Sequence, residues 1–416
     1  MNHRTRLAAL AAAVLAAAPA TAQAPRTEGP LKHAPRPTGA AITAEDLRTR
    51  LYIFADDSMK GREAGTRGNV MGTDYIAAEL ARMGLQPAGD NGTFFQQIPL
   101  MQRGVAEGAA LSVDGAPLAY GTDFLLVPTY GGVLLFADRF QADGVQVVYG
   151  GRVGEEASMI SPEQARGKLV VFAAPVGQDG EPTFPFWAGG RTYERYADAA
   201  GVAFAVLDYL PEGLAGFFRE ARTEMGAAGA PPAGTRYPAG LIVSTAAAAR
   251  LLGQPLAGLQ PGALGRTVSG SGSFFDRPTP FPARNVVAIL PGRDPALRGQ
   301  YVAIGTHNDH VGTTREPVDH DSLLVFNRIL RPQGADQEPD SMTEEKRAQL
   351  QSELARLRAQ RAPRLDSIYN GADDDASGSV GLLEIAQYLA GRPQNQRPRR
   401  SVLLVWHTAE EMGLYG

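Results

Sequence analysis

Two adjacent glutamates, Glu410 and Glu411, follow an apolar run in the stretch VWHTAEEMG. The run is predicted to be a buried strand, so the pair stands at the carboxyl end of that strand. Carboxylates at this position can simply cap a following helix. Alternatively, one glutamate binds a metal ion while its neighbour acts on a water molecule as general base. Both interpretations are open on the residue types alone.

Two further polar motifs also follow predicted strands. His307 and Asp309 lie in GTHNDHVG, and Asp373–Asp375 lie in NGADDDASG just before a predicted helix. A histidine that binds a metal commonly donates its other ring N–H to a carboxylate. Three adjacent carboxylates repel one another unless a positive charge gathers them. Each motif also has an ordinary interpretation, either as polar loop residues or as a solvated acidic turn.

The elements around these motifs predict an α/β fold. NVVAILPG, YVAIGTHND and RRSVLLVWHT are typical of buried strands, and SGSVGLLEIAQYLAG is typical of a helix. This alternation predicts a mostly parallel mixed sheet flanked by helices, with ligands bound beyond the carboxyl ends of the strands.

Histidine and carboxylates without sulfur suit a pair of zinc ions bridged by a carboxylate. G-x-S-x-G, P-loop and H-E-x-x-H motifs are absent from the sequence.

Composition narrows the class of protein. The 416 residues exceed one ordinary core, so two domains are expected. A net charge of −4 without a basic stripe argues against a nucleic-acid partner. The absence of cysteine excludes a cysteine nucleophile and thiolate metal ligands.

The amino terminus predicts export. Residues 1–22 combine early arginines, an Ala/Leu run and small residues near Ala22, which is the pattern of a cleavable signal peptide. A secreted or periplasmic location follows. Residues 23–40 are rich in proline and polar groups, which predicts a disordered lead. No later stretch reaches 18 uncharged apolar residues, so no membrane span is expected.

Three segments follow the lead. Residues 41–133 are predicted to begin an α/β domain, with a helix capped by Thr43 and another near 69–83. Short β-rich runs and Gly/Pro turns at 134–275 predict an inserted module. The α/β domain resumes at 276–416 and carries a charged excursion at about 313–366. A helix starting at Ser341 makes this excursion a solvated helical segment rather than a lid.

The order HND…DDDASG…EEMGLYG resembles the co-catalytic di-zinc aminopeptidases, a family that includes aminopeptidase Y, bacterial leucine aminopeptidases and glutamate carboxypeptidase. The stretch DDSMKGREAG…FFQQIPL is similar to members with an inserted protease-associated domain. The likeness covers most of residues 41–312 and 365–416. It implies a zinc-peptidase α/β/α sandwich, an insertion at 134–275, and hydrolysis of peptide bonds at the N termini of peptides or proteins.

The resemblance also implies a role for each motif residue. His307 would bind one zinc ion, with Asp309 as its orienting partner. Asp374 would bridge two zinc ions and be followed by a cis peptide bond. Glu410 would be the general base, and Glu411 would bind the second zinc ion.

The sequence departs from this family in one respect. The family supplies a further acidic ligand and a final histidine after the glutamate pair, and neither occurs before Gly416. A C-terminally truncated chain with weak metal binding is therefore expected. His320 is the candidate substitute ligand, whereas His310 is too near His307 to be an obvious replacement but could border the pocket.

Two other functions fit the same scaffold. A non-catalytic binding protein similar to the transferrin receptor would have lost the ligands, yet His307, Asp374, Glu410 and Glu411 are all present. A carboxypeptidase of the same family would need a basic pocket for the substrate carboxylate.

Overall fold

The computed structural model describes residues 34–129, 135–177, 180–183, 190–211, 214–226, 236–334 and 337–416. The predicted signal peptide and the first part of the predicted lead lie outside these residues. No helix within the described ranges is long and apolar enough to cross a bilayer.

Helices are short to medium in length. Thr43 caps the first helix as predicted, because its Oγ1 accepts the Asp46 N–H at 3.1 Å. The α-helices of the described residues are α1 (Ala44–Phe54), α2 (Arg67–Arg82), α3 (Pro162–Ala165), α4 (Leu214–Arg219), α5 (Thr245–Leu252), α6 (His320–Leu330), α7 (Glu344–Arg358) and α8 (Gly378–Gly391).

Strands form two large sheets and one small ribbon. The strands are β1 (Gln86–Pro87), β2 (Phe95–Ile98), β3 (Leu100–Val105), β4 (Ala110–Val113), β5 (Ala116–Leu118), β6 (Phe124–Val127), β7 (Arg139–Arg152), β8 (Leu169–Ala173), β9 (Gly201–Ala205), β10 (Arg222–Met225), β11 (Gly240–Val243), β12 (Leu264–Pro278), β13 (Ala283–Leu290), β14 (Tyr301–His307), β15 (Thr313–Asp319), β16 (Leu365–Ile368) and β17 (Ser401–His407).

The first sheet has five strands in the order β1-β13-β17-β14, with β2 also paired to β13. It is a mixed sheet flanked by helices, which confirms the α/β class. The prediction of mostly parallel pairing is wrong for the described strands, where β14 and β17 are parallel and the other pairs are antiparallel. Unbroken apolar runs indicate burial and carry no information about strand direction.

Helices α1, α2 and α8 pack on one face of this sheet. The core there includes Ile76, Val286, Leu383 and Trp406. Side chains alternate across a strand, so Leu403 and Val405 point to the opposite face, where they are only half-buried. Among the described residues, these three helices form one layer on this face of the sheet.

The second sheet has ten strands, and its strands β6, β8, β9 and β11 are buried on both faces. Alternate residues of its central strands enter two separate cores: Val171 and Leu241 on one side, Val170 and Ile242 on the other. Strands β3–β6, within 100–127, pair into this sheet, whereas the sequence placed them with the α/β domain. These four strands are short and separated by turns, as are the strands predicted at 134–275. Composition therefore does not show where the α/β domain gives way to the β-rich module. The domain limits themselves, and the protease-associated assignment, stay predictions.

The charged excursion contains α6, α7 and the ribbon of β15 and β16. Thr343 caps α7, not Ser341, because its side chain accepts the Lys346 N–H at 3.2 Å. None of the residues of α7 is buried. The two ends of the excursion meet where the Tyr369 N–H donates to the Gly312 carbonyl at 3.0 Å.

Candidate metal centre

Asp374 lies between two groups of possible metal ligands. Its Oδ1 is 3.1 Å from Nε2 of His307. It also belongs to a second group, in which ligand atoms of His310, Asp374 and Glu411 all lie within 4.8 Å of one another. The peptide bond from Asp374 to Asp375 is cis, as the resemblance implied. A carboxylate shared by two groups has the position that a bridging ligand needs.

Asp375 has a different role from its neighbour. Its Oδ1 accepts the Gly378 N–H at 3.0 Å, which caps the start of α8. Its Oδ2 accepts the His307 N–H at 3.1 Å and the Thr306 hydroxyl. These bonds use the Asp375 carboxylate to join the end of β14 to α8. Asp374, whose side chain is 67% exposed, keeps its oxygens toward the histidines.

His307 ends β14, and its ring is held by Asp309. Its Nδ1 is 3.2 Å from the Asp309 carbonyl oxygen but 3.7 Å from the Asp309 carboxylate. The predicted partner is therefore present, although the backbone atom is the closer one. Burial alone would lower the pKa of His307, but the carboxylates of Asp309, Asp375 and Glu410 outweigh burial and raise that pKa to about 9. The negative surroundings favour a cation at this position.

Asp309 is fully buried. Its Oδ1 accepts the Glu410 N–H at 3.2 Å, so it also fixes the loop that carries the glutamate pair. Its Oδ2 has no hydrogen-bond partner among the described residues.

The two glutamates face different histidines. Glu410 places Oε2 3.9 Å from Nε2 of His307. Glu411 places Oε1 2.6 Å from Nδ1 of His310. A tight turn separates the pair from β17, with the buried Ala409 at a φ of 56°. The glutamates therefore do not cap a common helix, and their divergence fits the interpretation that gives them separate tasks.

A buried arginine holds the loops of the site together. Arg62 is fully buried, and its guanidinium donates to the carbonyls of Asn308 at 3.1 Å, Asn370 at 2.7 Å and Gly371 at 2.9 Å. A fourth bond reaches the Phe54 carbonyl at 2.9 Å. Burial lowers the pKa of Arg62 to about 10, and the nearby site carboxylates oppose that effect. Arg62 thus remains a cation beneath the acidic cluster.

Amide side chains extend this anchoring. Asn69 of α2 donates to Asn308 Oδ1 at 2.7 Å, and Asn308 donates to the Trp406 carbonyl at 2.9 Å. The hydroxyl of Thr408 meets Asn69 at 3.3 Å. This chain of buried amides links α2, the loop after β14 and the end of β17 behind the site.

The structure brings together all five residues predicted for the site. The structure also places His310 and Arg62 at the site. The sequence predicted His310 only at the border of the pocket and gave no indication of Arg62. Arg62 gives no local signal, because its partners at 308 and 371 are 246 and 309 residues away. His320 contacts Asp366 at 3.5 Å and does not join the metal-ligand group.

The donor set suits a divalent ion. Imidazole nitrogen and carboxylate oxygen are ligands that zinc accepts at catalytic sites. Beside the cluster lies a hollow of about 400 Å³. Its lining residues are Gly305, Thr306, His307, Asp375, His407, Glu410, Leu414 and Gly416.

Comparison with known proteins gives one family match and several structural similarities. Residues 285–416, about a third of the chain, match the profile of Peptidase family M28. That segment holds every predicted site residue. No curated protein gives a significant sequence match.

Two solved aminopeptidases show similarity to the chain. The aminopeptidase from Aneurinibacillus sp. strain AM-1 has a TM-score of 0.39 and 15% identity, over 90% of this chain and 64% of that chain. BSAP, a zinc aminopeptidase from Bacillus subtilis, has a TM-score of 0.37 and 14% identity, over 91% of this chain and 64% of that chain. The present chain thus spans less than two thirds of the length of either structure.

Proposed function

We propose that this chain belongs to an exported zinc-dependent exopeptidase, an aminopeptidase with a two-zinc site. The observation that carries the proposal is the position of Asp374, whose oxygens lie close to His307 on one side and to the His310–Glu411 pair on the other. The family M28 match supports a hydrolase that acts on peptides. The aminopeptidase specificity rests on the resemblance of the motif set.

The residues of the site divide the chemical tasks. Bound zinc would polarise the substrate carbonyl and lower the pKa of the attacking water. His307, Asp374 and Glu411 would hold the metal, and Asp309 keeps the His307 ring oriented through contacts at its Nδ1. Glu410 binds no partner as tightly as Glu411 does, so its carboxylate is free to accept a proton from water as general base.

Hydrolysis of leucyl 4-nitroanilide by zinc-loaded protein, with and without the replacement Glu410→Gln, tests this proposal. Loss of a general base costs about 10²–10⁴-fold in rate, so we expect a drop of that size with zinc content unchanged. Glu316→Gln, on the exposed ribbon, is the matched control and is expected to retain full activity.

Blocked substrates test the specificity. An N-acetylated leucyl substrate should not be cleaved, because an aminopeptidase needs a free N terminus. Cleavage of C-terminal residues from N-acetylated peptides would instead make the protein a carboxypeptidase. Zinc binding without hydrolysis of any of these substrates would favour a non-catalytic binding protein.

Export is proposed from residues 1–22. Expression of the whole chain with a C-terminal tag in a bacterial host should yield a protein in the periplasm or medium that begins near residue 23. Retention of Met1 on the accumulated protein would contradict this part of the proposal.

A further inference from the structure

We propose that His310 is a metal ligand, and that His310, Asp374 and Glu411 form a three-ligand site for one divalent ion. This inference rests on the proposed function and extends it to a residue outside the ligand set His307, Asp374 and Glu411. The ligand atoms of the three side chains lie within 4.8 Å of one another. Nδ1 of His310 is 2.6 Å from Oε1 of Glu411.

The backbone holds His310 in this position. Its N–H donates to the Arg62 carbonyl at 3.3 Å, which ties the residue to the buried network. Gly371 lies against the ring and has a φ of 55°. A Cβ on Gly371 would lie 2.6 Å from Cδ2 of His310, so a larger residue would push the ring away from the site.

The geometry suits a small cation after a modest rearrangement. Ligand atoms at 2.0–2.2 Å from zinc lie about 3.3 Å from one another in a tetrahedral site. The ligand atoms of the three side chains lie within 4.8 Å of one another, so one ion could reach all three after small side-chain shifts. A histidine that binds a metal ion is neutral, so a His310 ring that binds through Nδ1 would carry its one proton on Nε2. One nitrogen and two carboxylate oxygens then leave a fourth position for water or substrate.

The two proposed ion positions, one at His310 and one at His307, consequently differ in metal affinity. The ion at His310 has three protein ligands from the described residues. The ion at His307 has His307 and the shared Asp374. We therefore expect one ion to bind tightly and a second to bind only at higher metal concentration.

Cobalt(II) provides a direct test, since a coordinated imidazole gives hyperfine-shifted proton signals in NMR spectra. With one equivalent of Co²⁺ added to metal-free protein, we expect a shifted imidazole N–H signal that disappears in His310→Asn. Asparagine keeps a donor near the position of Nδ1 and can still hydrogen-bond Glu411, but it is a poor metal ligand. His320→Asn is the matched control and should leave the spectrum unchanged.

Affinity provides the second measurement. Removal of a residue that only orients a ligand costs about 10–100-fold in metal affinity, so loss of a ligand should cost more than about 100-fold for the tight ion. Glu411→Gln still accepts a hydrogen bond from His310 and should show the same loss, which guards against misfolding of the His310 variant.

A shifted signal that persists in His310→Asn, or that disappears in His307→Asn instead, would overturn the inference. Hydrolysis that depends on Glu410 would survive such a result, so the proposed function would stand. Conversely, tight Co²⁺ binding through His310 without any peptide hydrolysis would support the inference and count against the proposed function.

Discussion

At the scale of single residues, Arg62 shows how a buried cation can organise an acidic site. Its four hydrogen bonds all go to backbone carbonyls, not to carboxylates. The carboxylates nearby contribute through their charge alone. The guanidinium therefore fixes the shape of two loops and also reduces the repulsion between acidic residues that must share a small volume.

We expect Arg62→Lys to weaken both stability and metal binding. A lysine keeps the charge but cannot direct five N–H donors to four carbonyls, and each buried carbonyl left unpaired costs about 1–3 kcal/mol. A loss of about 2–4 kcal/mol in the free energy of unfolding is expected from denaturant titration. Arg315→Lys, at a highly exposed position, should be neutral. Equal effects of the two replacements would show that Arg62 anchors nothing.

Asp374 and Asp375 allow metal binding to be separated from stability. Asp375→Asn removes one acceptor oxygen from the bonds that join Thr306, His307 and Gly378, so we expect a loss of about 1–3 kcal/mol in stability. Asp374→Asn should change the stability of metal-free protein by less than about 0.5 kcal/mol but abolish tight Zn²⁺ binding. Calorimetry of unfolding measures the stability of both variants, and zinc titration measures their affinity for Zn²⁺. A reversed pattern would exchange the two roles.

At the scale of elements, the turn before α8 depends on a glycine. Gly371 has a φ of 55°, and a Cβ there would meet the Asp374 carbonyl oxygen and the His310 ring, each at 2.6 Å. Gly371→Ala should therefore lower stability by more than about 1 kcal/mol and weaken metal binding. Gly381→Ala, within α8 and with open space around it, should raise stability by about 1 kcal/mol because alanine favours helices. Thermal unfolding of the two variants should show the decrease in stability for Gly371→Ala and the increase for Gly381→Ala.

The excursion is held by one buried carboxylate among arginines. Asp321 accepts from Arg361 at 2.7 Å, Arg364 at 2.7 Å and Arg358 at 3.2 Å. Hydrogen bonds from Arg361 first, and then from Arg364, lower the pKa of Asp321 to about 2 against the opposing effect of burial.

Acid should loosen this excursion. The pKa of Asp321 in the folded state lies below its usual value of about 3.9, so its contribution is complete above that value and is lost as the pH falls toward 2. We expect amide exchange in α6 and α7 to accelerate over this interval relative to α8. Asp321→Asn should show the faster exchange already at neutral pH. If exchange in α7 is equally fast in both proteins, the arginine cluster does not hold the excursion.

At the scale of the whole molecule, the two large sheets have separate cores. Leu383 belongs to the core between α8 and the five-stranded sheet, and Leu169 belongs to a core of the ten-stranded sheet. Both leucines are fully buried. Because the cores are distinct, damage to one should leave the other largely intact.

We expect Leu383→Ala and Leu169→Ala each to cost about 2–5 kcal/mol, but in different parts of the chain. Hydrogen exchange measured by mass spectrometry should show faster exchange in β13, β14 and β17 for the first variant. The second should affect β7, β8 and β9. Faster exchange everywhere in both variants would show that the chain unfolds as one unit and would contradict the predicted two domains.

Local patterns in the sequence were sufficient to predict several helices, strands and caps. The cap at Thr43, helix α2 and the strands β13, β14 and β17 follow from periodicity and end signals over a few residues. The predicted burial of β14 is wrong, because its residues are exposed or half-buried. These patterns work because helix caps and apolar runs depend mainly on near neighbours. The same local patterns are the reason that the five site residues could be predicted from the sequence.

The tertiary structure alone decided which distant groups meet. Strand direction and the pairing of 100–127 with the ten-stranded sheet depend on chain path rather than on residue type. His310 meets Glu411 across 101 residues, and Arg62 reaches Asn308 across 246. Hydrogen bonding and charge act over a few ångströms in space regardless of separation along the chain. The second histidine and the buried arginine therefore became visible only when the folded chain brought their partners together.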